Sequence, residues 1–150
     1  MSKAEPTLEE INSPTREIDY LEESNNVIDI ISDILEEIVK ENEESNQDSD
    51  DDTPAMCVFS SKKPPKITIN KYFKRIMKYS KPEPSTLIIS LIYIDKLCEN
   101  TNFVLNSHNI HRIILASLML AIKYNEDDYY SNEYYAKVGG IALKELNSLE

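Results

Sequence analysis

The stretch at residues 106–141, NSHNIHRIILASLMLAIKYNEDDYYSNEYYAKVGGI, leaves this chain few folds to choose from. Ile110, Ile113, Ile114, Leu118, Ala121 and Ile122 recur at three- and four-residue steps, the period of an α-helix. Leu115 and Met119 widen the apolar surface beyond one stripe, so the helix is expected inside the domain rather than at its edge. Asn106 or Ser107 is the expected N-cap. Lys123 falls at the C-terminal end, where a cation suits the helix dipole. In that apolar setting its ammonium must snorkel outward or meet a partner. Gly139 and Gly140, the only glycines in the chain, follow a second short helical stretch and can supply the left-handed turn that ends it. No strand alternation and no internal repeat appears, which predicts an all-α fold.

The charge is unevenly spread. Residues 1–54 hold 18 acids against 3 bases, and residues 55–150 hold 9 against 13, within an overall net of −11. An acidic arm therefore precedes a mildly basic, apolar domain. Residues 1–25 lack periodicity, carry Pro6 and Pro14, and are expected to be disordered. Residues 26–42 read as an amphipathic helix, with Val27, Ile28, Ile31, Ile34, Leu35 and Ile38 on one face and Asp29, Asp33, Glu36, Glu37 and Lys40 on the other. Two placements fit it: packed on the domain's own surface, or shared with a partner. Residues 43–63 read as an acidic, flexible linker. The domain proper is expected over residues 64–150.

Within it, Ile69, Tyr72, Phe73, Ile76 and Met77 lie at helical spacing, with Asn70 as the expected cap. Eight of the domain's bases fall between Lys62 and Lys81, interleaved with Tyr72, Phe73 and Tyr79. Such a pattern suits nucleic acid, but it equally describes a solvated lysine face with the aromatics turned to a core, and no nucleic-acid partner is expected. Pro82 and Pro84 break the chain, Ser85 is the expected next cap, and TLIISLIYIDKL is apolar around most of its girth, which predicts a buried central helix. Leu143, Leu146 and Leu149 start a further helix. No apolar run is long enough for a membrane span, and the N-terminus has no hydrophobic signal core. Two isolated cysteines, Cys57 and Cys98, point to a reducing compartment, the nucleus or cytoplasm.

Catalytic chemistry finds little footing. His108 and His111 can face one metal, but a zinc site needs further ligands, and none is at hand in sequence. No phosphate-cradling glycine loop and no Ser–His–Asp or Cys–His order is present. Glu126, Asp127 and Asp128 read as a solvated turn, and Tyr129, Tyr130, Tyr134 and Tyr135 as a binding surface or a ligand stack. The expectation is a protein-binding module, not an enzyme, with no cofactor, metal or small-molecule substrate.

HNIHRIILASLMLAIKY followed by YYSNEYYAKVGGI closely resembles the third and fourth helices of the cyclin box in P/U-type cyclins, and residues 135–141 are its most specific part. KITINKYFKRIMKY, LIYIDKL and ELNSLE resemble family segments in family order, and VIDIISDILEEIVKENEES resembles the helix that precedes the box. The resemblance implies a subunit that binds and activates a cyclin-dependent kinase, in cell division or phosphate signalling. It assigns kinase binding to Lys123 and Glu150, with Asp127 facing a kinase arginine. It also implies that the fifth helix is incomplete at Glu150, which leaves open a non-activating adaptor working through the helix at residues 26–42.

Overall fold

The computed structural model describes residues 14–46 and 58–150, with side chains from Glu22 onward. The expectations for residues 1–13 and 47–57, Cys57 and most of the acidic run among them, lie outside the described residues. Six helices and no strand are found among the described residues: α1 (Pro14–Ser45), α2 (Ile69–Ser80), α3 (Pro84–Thr101), α4 (Ile110–Asn125), α5 (Asn132–Gly139) and α6 (Leu143–Leu149).

Helix α4 is the centre. Eleven of its 16 residues are buried, and α2, α3, α5 and α6 all pack against it. Its apolar surface runs round most of the cylinder, so it can only be stable with neighbours on several sides. It starts later than expected. Asn109, not Asn106 or Ser107, is the cap, and Asn106 instead closes a turn in which its carbonyl accepts the Ile110 N–H. The side-chain amide of Asn109 holds this turn, accepting from the Asn106 N–H at 2.9 Å and donating to the Val104 carbonyl at 2.9 Å.

Other caps also differ from expectation. Thr68 caps α2, its hydroxyl accepting from the Lys71 N–H. Asn70 instead donates across to Asp29 of α1 at 2.7 Å. Helix α3 opens one residue before Ser85, with Pro84 in its first turn, where the missing N–H costs nothing. The Glu126 carboxylate completes that end from the far side of the domain, accepting from the Glu83 N–H at 2.9 Å and the Thr86 hydroxyl at 2.8 Å. Glu126 is thus a cap, not part of a purely solvated acidic turn.

Two readings of burial change. Helix α3 is not buried all round: Leu87, Ser90 and Ile94 face the core, while Ile88 and Ile92 are exposed. Helix α1 packs on α2 and α3 through Ile28, Ile31, Leu35 and Val39, with Ile34 and Ile38 left exposed. The buried stripe is therefore rotated from the one that the isoleucine spacing suggested. Asp29 agrees with this rotation, pairing with Lys74 of α2 at 3.2 Å as well as with Asn70.

Helix α1 also overruns its expected limits at both ends. It begins at Pro14 rather than near residue 26, and it continues through Ser45 into the segment expected as linker. Asn42 donates to the Leu105 carbonyl at 3.0 Å, and Glu43 accepts from the Ser107 N–H at 2.8 Å. The Ser107 side chain and, after it, this backbone bond hold the Glu43 carboxyl below its ordinary range. Local composition marks Glu43 as solvated, but a backbone donor far along the chain gives it a partner. At the other end of the linker, Ser61 donates its N–H to the His108 carbonyl at 2.8 Å.

Candidate partner-binding site

Three elements deliver charge to one place. Lys123 lies in the last turn of α4, Asn132 opens α5 beside its Ser131 cap, and Glu150 closes α6. The Lys123 ammonium donates to Asn132 Oδ1 and, at 2.6 Å, to Glu150 Oε1. Asn132 Nδ2 donates to Glu150 Oε2 at 2.7 Å and to Asn147 Oδ1 at 2.9 Å. The three side chains thus form a closed ring of hydrogen bonds. The Lys123 ammonium also stands 6.0 Å from the centre of the Tyr129 ring.

Partial burial pushes the Glu150 carboxyl up, but the hydrogen bonds from Lys123 and Asn132 together outweigh it and hold the group below its ordinary value. The Glu150 carboxyl is therefore ionised at neutral pH. Side-chain exposure is 19% for Lys123 and 29% for Glu150. A pair this open contributes little to stability, about 0–1 kcal/mol. It is preorganised yet within reach of an incoming chain. Tyr124, next to Lys123, is 78% exposed and adds a large apolar face beside the charges.

Lys123 and Glu150, 27 residues apart in the chain, meet. Asp127 lies on the exposed turn that follows α4. Asn132 escaped the sequence reading: an asparagine after a serine at a helix start carries no periodic signal, and only α6 folding back makes it a bridge. Helix α6 is also tied down by an ion pair between Glu145 and Arg112 of α4.

The histidines diverge. His108 Nδ1 lies 2.9 Å from the Ser61 carbonyl, and His111 Nε2 lies 2.7 Å from the Ile67 carbonyl. A carbonyl only accepts, so each of these nitrogens carries the proton when its ring is neutral. His111 packs edge-on against Tyr72, whose hydroxyl donates to the Gly139 carbonyl at 2.9 Å. Burial pushes the Tyr72 hydroxyl up to about 12, against smaller opposing effects of Arg75 and Arg112. No group of three His, Cys, Asp or Glu side chains is placed to hold a metal among the described residues. The tyrosine run also divides: Tyr130 and Tyr135 are core residues in ring contact with each other, not surface anchors. No helix among the described residues is long and apolar enough to cross a membrane.

This all-α domain, built round one buried helix, has the architecture expected of a cyclin box. The sequence profile of the cyclin family matches residues 25–150, and the chain belongs to that family. Its similarity is to U- and P-type members. It is 45% identical over 96 residues to Cyclin-U3-1 of Arabidopsis thaliana, covering 64% of this chain and 43% of that protein. It is 43% identical over 95 residues to the PHO85 cyclin-like protein psl1 of Schizosaccharomyces pombe, covering 62% of this chain and 39% of that protein. To Cyclin-P3-1 of Oryza sativa subsp. japonica it is 34% identical over 93 residues, covering 62% of this chain and 39% of that protein. The chain thus spans less than half the length of these relatives.

Proposed function

We propose that this chain is a regulatory subunit that binds and activates a cyclin-dependent protein kinase, with Lys123 and Glu150 as its principal contacts and Asp127 beside them. Membership of the cyclin family supports the partner class. The single observation that favours the site is the preorganised, partly exposed Lys123–Asn132–Glu150 ring. A lysine and a glutamate held side by side offer both a donor and an acceptor to main-chain and charged groups of a kinase helix. Such a subunit activates by binding the kinase's active arrangement more tightly than the inactive one, which shifts the population. The kinase itself supplies the catalytic groups and metal. The relative named as PHO85 cyclin-like suggests a kinase of that kind, and the resemblance to P/U-type cyclins suggests a role in cell division or phosphate signalling.

The test is co-precipitation and phosphotransfer with a purified cyclin-dependent kinase. Lys123→Glu should weaken capture by about 1–3 kcal/mol, as expected for one reversed charge at an interface. The double exchange Lys123→Glu with Glu150→Lys keeps the internal ion pair but inverts what the kinase meets. Continued loss of capture in the double variant supports direct contact, and recovery assigns the pair to holding α6. Capture without phosphotransfer would instead favour a non-activating adaptor, for which the exposed Ile30, Ile34 and Ile38 of α1 offer a surface.

A further inference from the structure

A second charged feature lies between α2 and α5. Arg75 and Tyr79 from α2, with Tyr134, Lys137 and Val138 from α5, line a cleft of about 460 Å³. By helical geometry the three α5 residues point at least about 120° away from Asn132 around that helix, so the cleft does not share the face of the lysine–glutamate ring. The Tyr134 hydroxyl donates to the Tyr79 carbonyl at 2.7 Å, which fixes α5 on α2 and shapes the cleft in advance. Helix α2 contains no acid.

The cations in the cleft are weakly committed. Arg75 has no hydrogen-bond or ion-pair partner among the described residues. Its Nη2 lies 3.7 Å from where a Cβ would stand on Gly140, an ordinary contact distance that puts the guanidinium beside the end of α5. Lys137 meets Glu133 at 3.5 Å, but both side chains are about two-thirds exposed, and such a pair is readily displaced. Lys78, on the same helix as Arg75, stands 5.5 Å over the Tyr79 ring.

We propose that this cleft binds a phosphorylated serine or threonine of a peptide partner, with Arg75 and Lys137 on the phosphoryl oxygens and the Tyr79 and Tyr134 rings against the adjoining peptide. An arginine fork beside a lysine matches a compact dianion better than a single carboxylate. Two convergent cations suit one phosphate group, whereas a nucleic acid needs an extended track, and the chain's net charge of −11 opposes a long polyanion. The cleft would let a kinase-regulating subunit retain a partner that already carries one phosphate. Its existence does not depend on the Lys123 and Glu150 assignment.

The full 150-residue chain should be probed against arrayed phosphoserine and phosphothreonine peptides and their unphosphorylated counterparts, with the best sequences titrated by fluorescence anisotropy. Phosphorylation should tighten binding about tenfold or more, the scale of one or two charge-assisted bonds. Arg75→Ala with Lys137→Ala should remove that preference, and Arg75→Lys should reduce it only partly. Lys123→Glu should leave it unchanged. Both cleft cations reach solvent, so the melting temperature of the double variant should match that of the parent chain. Equal binding of both peptide forms, or a preference that survives the double substitution, would overturn the proposal. So would a short single-stranded oligonucleotide that binds as tightly as the best phosphopeptide and is lost with the same two cations, since the cleft would then be a general polyanion surface.

Discussion

A hydrogen at Gly139 decides how closely α5 approaches α4. A Cβ built there would lie 2.3 Å from Leu115 Cδ2 and 3.0 Å from its Cδ1, and Leu115 is itself buried. Gly139→Ala must therefore push a packed leucine, and it should destabilise the domain by about 1–3 kcal/mol, read as a lower urea midpoint. Gly140 is constrained differently: its φ of 71° is left-handed, and its N–H closes the end of α5. The sequence showed one pair of glycines ending a helix. The structure divides the labour, one glycine for closeness and one for turning, and only the second follows from local spacing.

At the scale of elements, α1 behaves as part of the domain. Four aliphatic side chains from it reach the core, and Asp29, Asn42 and Glu43 give it polar anchors on α2 and on the α3–α4 connection. Most of a helix's stability within a protein comes from such packing of its apolar face. Leu35→Ala should then cost about 2–5 kcal/mol in urea unfolding, while Ile34→Ala, at a residue 41% exposed, should cost well under that. Equal losses at the two positions would mean that α1 is not seated as described. Periodicity alone could not choose between them, because both isoleucine-rich stripes of α1 satisfy a helical repeat. The choice was made by the complementary surface of α2 and α3.

For the whole molecule, acid stability turns on His111. Burial lowers its pKa, against a smaller upward effect of its bond to the Ile67 carbonyl, and its Nδ1 is buried without a partner. The unfolded chain therefore takes up a proton at higher pH than the folded one. Stability from this group is full above the unfolded histidine pKa of about 6.5 and is lost as pH falls from there toward the folded value. The melting temperature should drop between pH 7.5 and pH 5.5, and His111→Gln, which keeps a donor for Ile67, should flatten that slope. An unchanged slope would move the acid sensitivity to other groups.

The sequence by itself determined that the domain is helical, that α4 lies inside it, the glycine stop and the family, because each is written in short-range spacing or in contiguous motif. Tertiary structure alone decided the polar partnerships. Lys123 and Glu150 are 27 residues apart, Thr86 and Glu126 are 40 apart, and Glu43 and Ser107 are 64 apart. Side chains that meet across such separations leave no period to read. Tertiary structure likewise exposed the outer isoleucines of α3, since an apolar girth states only that burial is favourable, and the number of neighbours decides how much of it is achieved.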